Sequence, residues 1–332
     1  MKFTGPGREG LPKDISFVID GGWLLYRVPN WRKGITFERI CQLYKEYVIL
    51  HYGRNTTVIF DGGYECPSTK DTTHLRRSKG RKGKQVRFNK QMKLSMKEDF
   101  LLNKSNKQRF QEMLTEIMNE GPLSAIQALG DADGLIVSTA LDLSKERPIA
   151  IVGEDTDLLV LALQHSTEEH EIFLTAPAKL ISTTKPKLWD IAHVRGKLEE
   201  RCGYMALVHA LLGCDTTSRI QNIGKRLAFL KLLFDLSFKN NADTFYKTDV
   251  SSNDVINAGE KLLLMIFGGK EESLNELRFS KFCQKVATST GVVNPESLCP
   301  TSNAAGLHSL RVYNPGQNVL RILRKIRENR NR

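Results

Sequence analysis

An α/β fold with a mostly parallel central sheet is what this sequence predicts, and three stretches predict it. Short apolar runs at residues 15–20, 56–61 and 149–152 have the length and composition of buried strands. Each run stops at acidic residues: Asp20-Gly21-Gly22, Asp61-Gly62-Gly63 and Gly153-Glu154-Asp155-Thr156-Asp157. In an open sheet of this class, ligands bind outside the carboxyl ends of the strands. Asp-Gly alone is ordinary turn chemistry, and acids suit a helix N-terminus. The recurrence of strand, acidic turn and helix points instead to a shared site.

In chain order, the strand at 15–20 leads into Trp23, Leu24, Leu25 and Tyr26, which begin a helix or turn on the sheet. Apolar residues Phe37, Ile40, Cys41, Tyr44, Tyr47 and Val48 repeat at helical spacing over 36–51, and Gly53 ends that helix. After the strand at 56–61 comes a basic, glycine-interrupted segment. A helical pattern then runs from 88 towards 118, its methionines serving as packing. A third strand at 124–129 enters the acidic turn Gly130-Asp131-Ala132-Asp133 and a helix. Residues 171–175 read as an edge strand, and 188–200 and 204–212 as helices. A further helix reaches about 238, and the polar stretch 240–253 reads as a linker. Helices follow at 255–267 and 274–287, then a loop rich in Pro, Ser and Asn and a basic end. The expected division is a core over 1–240 and a helical extension over 241–332.

Composition narrows the class. A chain of 332 residues with 40% hydrophobic and 8% aromatic content is globular. No apolar run is long enough to span a bilayer, and Met1-Lys-Phe-Thr-Gly-Pro-Gly lacks the apolar core of a signal peptide. The expectation is an intracellular protein with no membrane partner. Its six cysteines, with no Cys-x-x-Cys among them, are then expected as free thiols. A zinc site from Cys202, His209 and Cys214 has no recognised ligand spacing. The net charge is +12, and residues 72–97 hold ten Lys or Arg and no acid. That concentration marks contact with a polyanion, nuclear import or simple solvation, and alone it does not decide among them; a nuclear location is favoured over a cytoplasmic one.

The collected candidates are Asp20, Asp61, Asp131, Asp133, Asp155, Asp157 and Asp215, with Glu154 beside them. Oxygen ligands without His or Cys suit Mg²⁺ or Mn²⁺. So many acids suggest two ions, which can activate a water and stabilise a leaving oxygen in phosphoryl displacement. An acidic pocket beside a basic wall is the layout of a metal-dependent nuclease. A dinucleotide enzyme is excluded because no Gly-x-Gly-x-x-Gly follows an early strand. A haloacid-dehalogenase-type hydrolase needs Asp-x-Asp where this chain has Asp20-Gly21-Gly22.

The ordered set Val18-Ile19-Asp20, Ile59-Phe60-Asp61-Gly62, Asp131-Ala132-Asp133, Glu154-Asp155-Thr156-Asp157 and Leu211-Leu212-Gly213-Cys214-Asp215 resembles the flap endonuclease superfamily over about 15–238. The resemblance implies a PIN-like three-layer α/β/α core with a basic arch at about 72–110. It also implies a helix–two-turn–helix at about 204–238 and a C-terminal helical extension. It implies that Asp20, Asp61, Asp131, Asp133 and Asp155 gather around one metal, and that Asp157 and Asp215 complete a second. Arg76, Arg77, Lys79, Arg81, Lys82, Lys84 and Arg87 would contact nucleic acid from the arch, and Gly224, Lys225 and Arg226 from the hairpin.

This chain departs from the family in carrying Asp131-Ala-Asp133 in place of Glu-x-Glu and Asn222-Ile-Gly224 in place of Gly-Ile-Gly. Those differences suit a divergent branch, such as the asteroid-like or transposon-associated members. DNA is favoured as substrate. A PIN-type ribonuclease and a catalytically silent nucleic-acid-binding protein are the alternatives, and protein partners are left open.

Overall fold

The computed structural model describes residues 10–28, 31, 34–62, 83–93, 97–177, 187–214, 217–218, 220, 223, 225–235, 237–288 and 291–313, apart from the side chains of Glu98, Lys225, Arg226, Leu233 and Phe234. The chain divides into two compact units, Met1–Glu199 and Glu200–Arg332. This division falls before the boundary expected at 240.

The first unit is built on a six-stranded sheet of order β3-β2-β1-β4-β5-β6. The strands are β1 (Ser16–Asp20), β2 (Thr56–Phe60), β3 (Ser124–Gln127), β4 (Ile149–Val152), β5 (Ile172–Ala176) and β6 (Lys187–Asp190). All neighbours pair in parallel except β5 and β6. Every residue of β4 and β5 is buried, as strands covered on both faces require. The order reverses at β1, which has β2 on one side and β4 on the other. A crevice at the carboxyl ends of β1 and β4 follows from that reversal.

Helices cover both faces, giving the three-layer α/β/α arrangement expected. They are α1 (Gly21–Leu25), α2 (Phe37–Tyr52), α3 (Lys97–Leu102), α4 (Lys104–Asn119), α5 (Asp133–Leu143), α6 (Thr156–His165) and α7 (Ile191–Leu198). Ile19 and Val152 share one core with α2 and α4. Val18 and Ile151, alternating with them, are fully buried on the other face, where α5 packs on β1 and β4. Tyr44 is buried in the first core because its hydroxyl has partners. It donates to the Leu25 carbonyl at 2.7 Å and accepts from Trp31 Nε1 at 3.0 Å.

The structure corrects several expectations. The helix read from 88 to 118 is two helices beginning at Lys97. They are divided at Asn103, whose side chain caps α4 by accepting from Asn106 N at 3.1 Å. Residues 171–175 are not an edge, because β5 pairs with β4 on one side and β6 on the other. The helix read over 188–200 begins only at Ile191, capped by Asp190, and 187–190 form the true edge.

The end of the basic segment is tied into this unit. Phe88 is buried, its ring 4.3 Å from Phe37 and 5.0 Å from Phe100. Asn106, 1% exposed, accepts from Val86 N at 2.8 Å and donates to the carbonyls of Lys84 and Phe100. Asn106→Ala would remove these bonds from the three backbone groups. We expect a loss of about 2–3 kcal/mol in urea unfolding and faster proteolysis near Arg87.

The second unit is helical. A 3₁₀ turn at Glu199–Tyr204 precedes α8 (Met205–Leu211), followed by α9 (Lys225–Phe234), α10 (Phe238–Ala242), α11 (Ser252–Phe267), α12 (Leu274–Thr288) and α13 (Ser302–Tyr313). Residues 240–253 are not a linker. Phe238, Ala242 and Phe245 are buried, and Tyr204 donates to Asp243 at 2.6 Å. The loop expected after 287 is present at 291–301, and helix α13, not expected from the sequence, follows it. This helix packs on α11 with Ser309 set close against Gly259, where a Cβ would not fit. No helix among the described residues is long and apolar enough to cross a membrane.

Candidate active site

Each strand end delivers its acid by a local device. Asp20 closes β1 and caps α1, its Oδ1 accepting from Gly22 N at 2.8 Å. Asp61 follows β2, and its Oδ1 accepts from Ala132 N at 3.1 Å, tying it between Asp131 and Asp133. Asp131 in turn accepts weakly from Asp133 N at 3.4 Å. After β4, Asp155 caps α6 by accepting from Asp157 N at 3.0 Å. An Asp at an N-cap is favoured by the unpaired amides of the first turn. Capping therefore explains the positions of Asp20 and Asp155, but not why so many acids share one rim.

Glycines let the chain pass close to these acids. A Cβ on Gly22 would stand 3.1 Å from Asp20 Oδ1 and 3.9 Å from Asp61 Oδ2, so the two carboxylates flank one small volume. A Cβ on Gly153 would lie 3.4 Å from Asp20 Cβ and 3.8 Å from its Oδ2. Gly62 donates to the Gly130 carbonyl at 2.7 Å, and a Cβ there would overlap the Ala128 carbonyl. Gly62→Ala must separate the β2 and β3 exits. We expect it to cost about 2–4 kcal/mol by thermal or urea unfolding, and to dislodge Asp61 from Ala132.

The electrostatics match a cluster of like charges. Burial holds the half-buried Asp20 carboxyl up at about 7, against 3.8 ordinarily, and the Asp61 charge adds to this. Hydrogen bonds from Trp23 and Gly22 oppose the rise, while Asp155 contributes further to it. Asp20 thus senses both Asp61 and Asp155 across the crevice at the sheet's switch point.

A divalent cation fits this donor set. The oxygens are hard, two carboxylates face one point beside Gly22, and Asp20 is poorly stable as a free anion. Among the described residues, no three His, Cys, Asp or Glu side chains form a ready-made metal cage. Mg²⁺ needs none, since it keeps several waters and is held by one or two carboxylates. Among the described residues, the Cys202, His209 and Cys214 grouping likewise forms no metal-holding cluster.

The remaining sequence candidates divide between described and undescribed residues. Asp157 lies in the first turn of α6. Lys84 and Arg87 are exposed on the extended segment ahead of Phe88. Lys225 and Arg226 open α9. Arg76, Arg77, Lys79, Arg81, Lys82, Asp215 and Gly224 lie outside the described residues.

The acidic pattern does not announce Arg27. Its guanidinium pairs with Glu154, donates to the Pro177 carbonyl at 2.8 Å, and lies 4.7 Å over the Trp23 ring. Glu154 is therefore engaged by an arginine. No spacing rule links a lone Arg in one segment to an acid in a segment so distant in the chain.

No protein-family model matches this chain, and no curated protein matches it in sequence. Among solved structures, it is similar to the D15 protein of bacteriophage T5 co-crystallised with metal ions. That match has 14% identity and a TM-score of 0.42, covering 94% of this chain and 97% of that one. It is similar to the catalytic core of Rad2 in complex with DNA substrate, at 16% identity and a TM-score of 0.41, covering 94% and 93%. It is also similar to the eukaryotic junction-resolving enzyme GEN-1, at 14% identity and a TM-score of 0.45, covering 95% of this chain and 61% of that one. At these scores the likeness assigns no role to any residue.

Proposed function

We propose that this chain is a divalent-metal-dependent nuclease that hydrolyses phosphodiester bonds of DNA, selecting its substrate by structure. The observation that carries the reading is the approach of the Asp20 and Asp61 carboxylates to one point beside Gly22, 3.1 Å and 3.9 Å from where a Cβ would stand. Asp155 adds its charge from the neighbouring strand end. Carboxylates forced this close at a ligand-binding rim need a cation to offset their repulsion.

Asp20, Asp61 and Asp155 would hold Mg²⁺ or Mn²⁺, and Asp131 and Asp133, which flank the Ala132 amide bonded to Asp61, would complete the set. A second ion held by Asp157 and Asp215 rests on the family resemblance. When bound, the ions supply a nucleophilic water at neutral pH and neutralise the charge of the phosphate. The protein's own contribution is to orient these carboxylates and to hold the polymer. Lys84 and Arg87, exposed beyond the anchored Phe88, would hold backbone phosphates, as would the basic residues at 76–82. The N-terminus of α9, at Lys225 and Arg226, suits backbone phosphates, and the preference for DNA over RNA rests on the resemblance of residues 220–228 to the family's duplex-gripping hairpin.

Digestion of matched flap, hairpin, single-stranded DNA and RNA substrates with Mg²⁺, with Mn²⁺ and with chelator tests this reading. Metal-dependent cleavage strongest on branched DNA is expected. Preference for RNA would select the ribonuclease alternative, and no cleavage under any metal would leave a binding protein.

A further inference from the structure

Arg27 follows the helix that leaves β1, immediately beyond Asp20. Its side chain is only 12% exposed, and its partners come from three places in the chain. Glu154 belongs to the turn after β4, Pro177 follows β5, and Trp23 lies on α1. A guanidinium directs its donors in one rigid plane while its flat face stacks on an aromatic ring, and a lysine ammonium has neither the fixed fork nor the face. The turn that Glu154 belongs to is also the one whose Gly153 passes against Asp20 and whose Asp155 caps α6.

We propose that Arg27 is a positioning residue. Through Glu154 and Pro177 it pins the turns after β4 and β5 to β1, and so sets where Asp155 stands relative to Asp20 and Asp61. The inference rests on the nuclease reading, because the property it assigns to Arg27 is control of divalent-ion affinity at that site. An ion pair kept only for stability would leave that affinity unchanged. Partners that orient metal-holding groups alter affinity by about 10–100-fold when removed.

The test uses the full chain as wild type, Arg27→Ala, Arg27→Lys, Glu154→Gln and the double variant Arg27→Ala with Glu154→Gln. Two readouts are taken: hydrogen exchange of residues 153–157 without metal, and Mn²⁺ affinity by direct titration. Arg27→Ala and Glu154→Gln should each speed exchange in that turn and weaken Mn²⁺ binding about tenfold. The double variant should be no weaker than the worse single one, and Arg27→Lys should recover only part of the loss.

Unchanged exchange in Arg27→Ala overturns the clamp. Faster exchange with unchanged Mn²⁺ affinity overturns the positioning role. Wild-type protein that binds no Mn²⁺ sinks the nuclease reading itself, and the exchange result still decides whether Arg27 pins the turn. If Arg27→Ala does not fold, Glu154→Gln carries both readouts, because Glu154 is 48% exposed and its loss is better tolerated.

Discussion

Replacing Asp155 by Asn is expected to lower metal-dependent DNA cleavage by about a thousandfold, in line with the loss of one preorganised charge-stabilising group at a reaction centre. The fold should survive, because Asn caps a helix as well as Asp does. The bond from Asp157 N to the side chain of residue 155 can still form, since the Asn amide oxygen accepts as the carboxylate oxygen does. Binding to DNA should be unchanged or slightly tighter, since one negative charge facing a polyanion is removed. Single-turnover cleavage and a binding titration on the same substrate separate these effects. Cleavage at the wild-type rate would remove Asp155 from the reaction.

Asp20→Asn should show the opposite pairing: inactive, yet more stable than wild type without metal. The Asp20 carboxyl sits at about 7 in the folded chain and at 3.8 ordinarily, chiefly because it is buried beside Asp61. Between about pH 4 and pH 7 the unfolded chain has released this proton while the folded chain keeps it. Stability contributed at this position therefore falls as pH rises through that window and stays lowered above it. Asn does not titrate, so the advantage of the variant should be absent below about pH 4 and complete above about pH 7. Its size should be on the order of 2 kcal/mol, allowing for water reaching a half-buried group. Unfolding curves at pH 4 and pH 8 with chelator present measure it. Adding Mg²⁺ at pH 8 should raise the melting temperature of wild type more than that of the variant.

Much of the site is legible because the chain repeats one device. A buried strand ending in Asp-Gly-Gly is visible at Asp20 and at Asp61, and Glu-Asp-Thr-Asp after β4 stands out by charge density alone. The features that stay hidden lack an apolar or acidic signature. Strand β6 is four residues long and only half-buried, too short for alternation to separate it from the helix that follows. Helix α13 turns Ala305, Gly306, His308, Ser309 and Val312 inward. A face of small and polar residues reads as loop, yet it lets Ser309 meet Gly259 on α11. The break at Asn103 hides inside an otherwise helical pattern, because its cap bond depends on a polar side chain that a helix can also carry on its surface. Arg27 is hidden for a simpler reason: Glu154 and Pro177 are brought to it only by the sheet.

Calorimetric titration of Mg²⁺ into the wild-type chain and into Asp20→Asn and Asp61→Asn tests the shared carboxylate site without reference to substrate. Wild type should bind Mg²⁺ and release protons near pH 6.5, since Asp20 is still largely protonated there. Both variants should bind at least about tenfold more weakly. Uptake in the variants equal to that of wild type, or none in any of the three, would contradict a divalent ion held between β1 and β2.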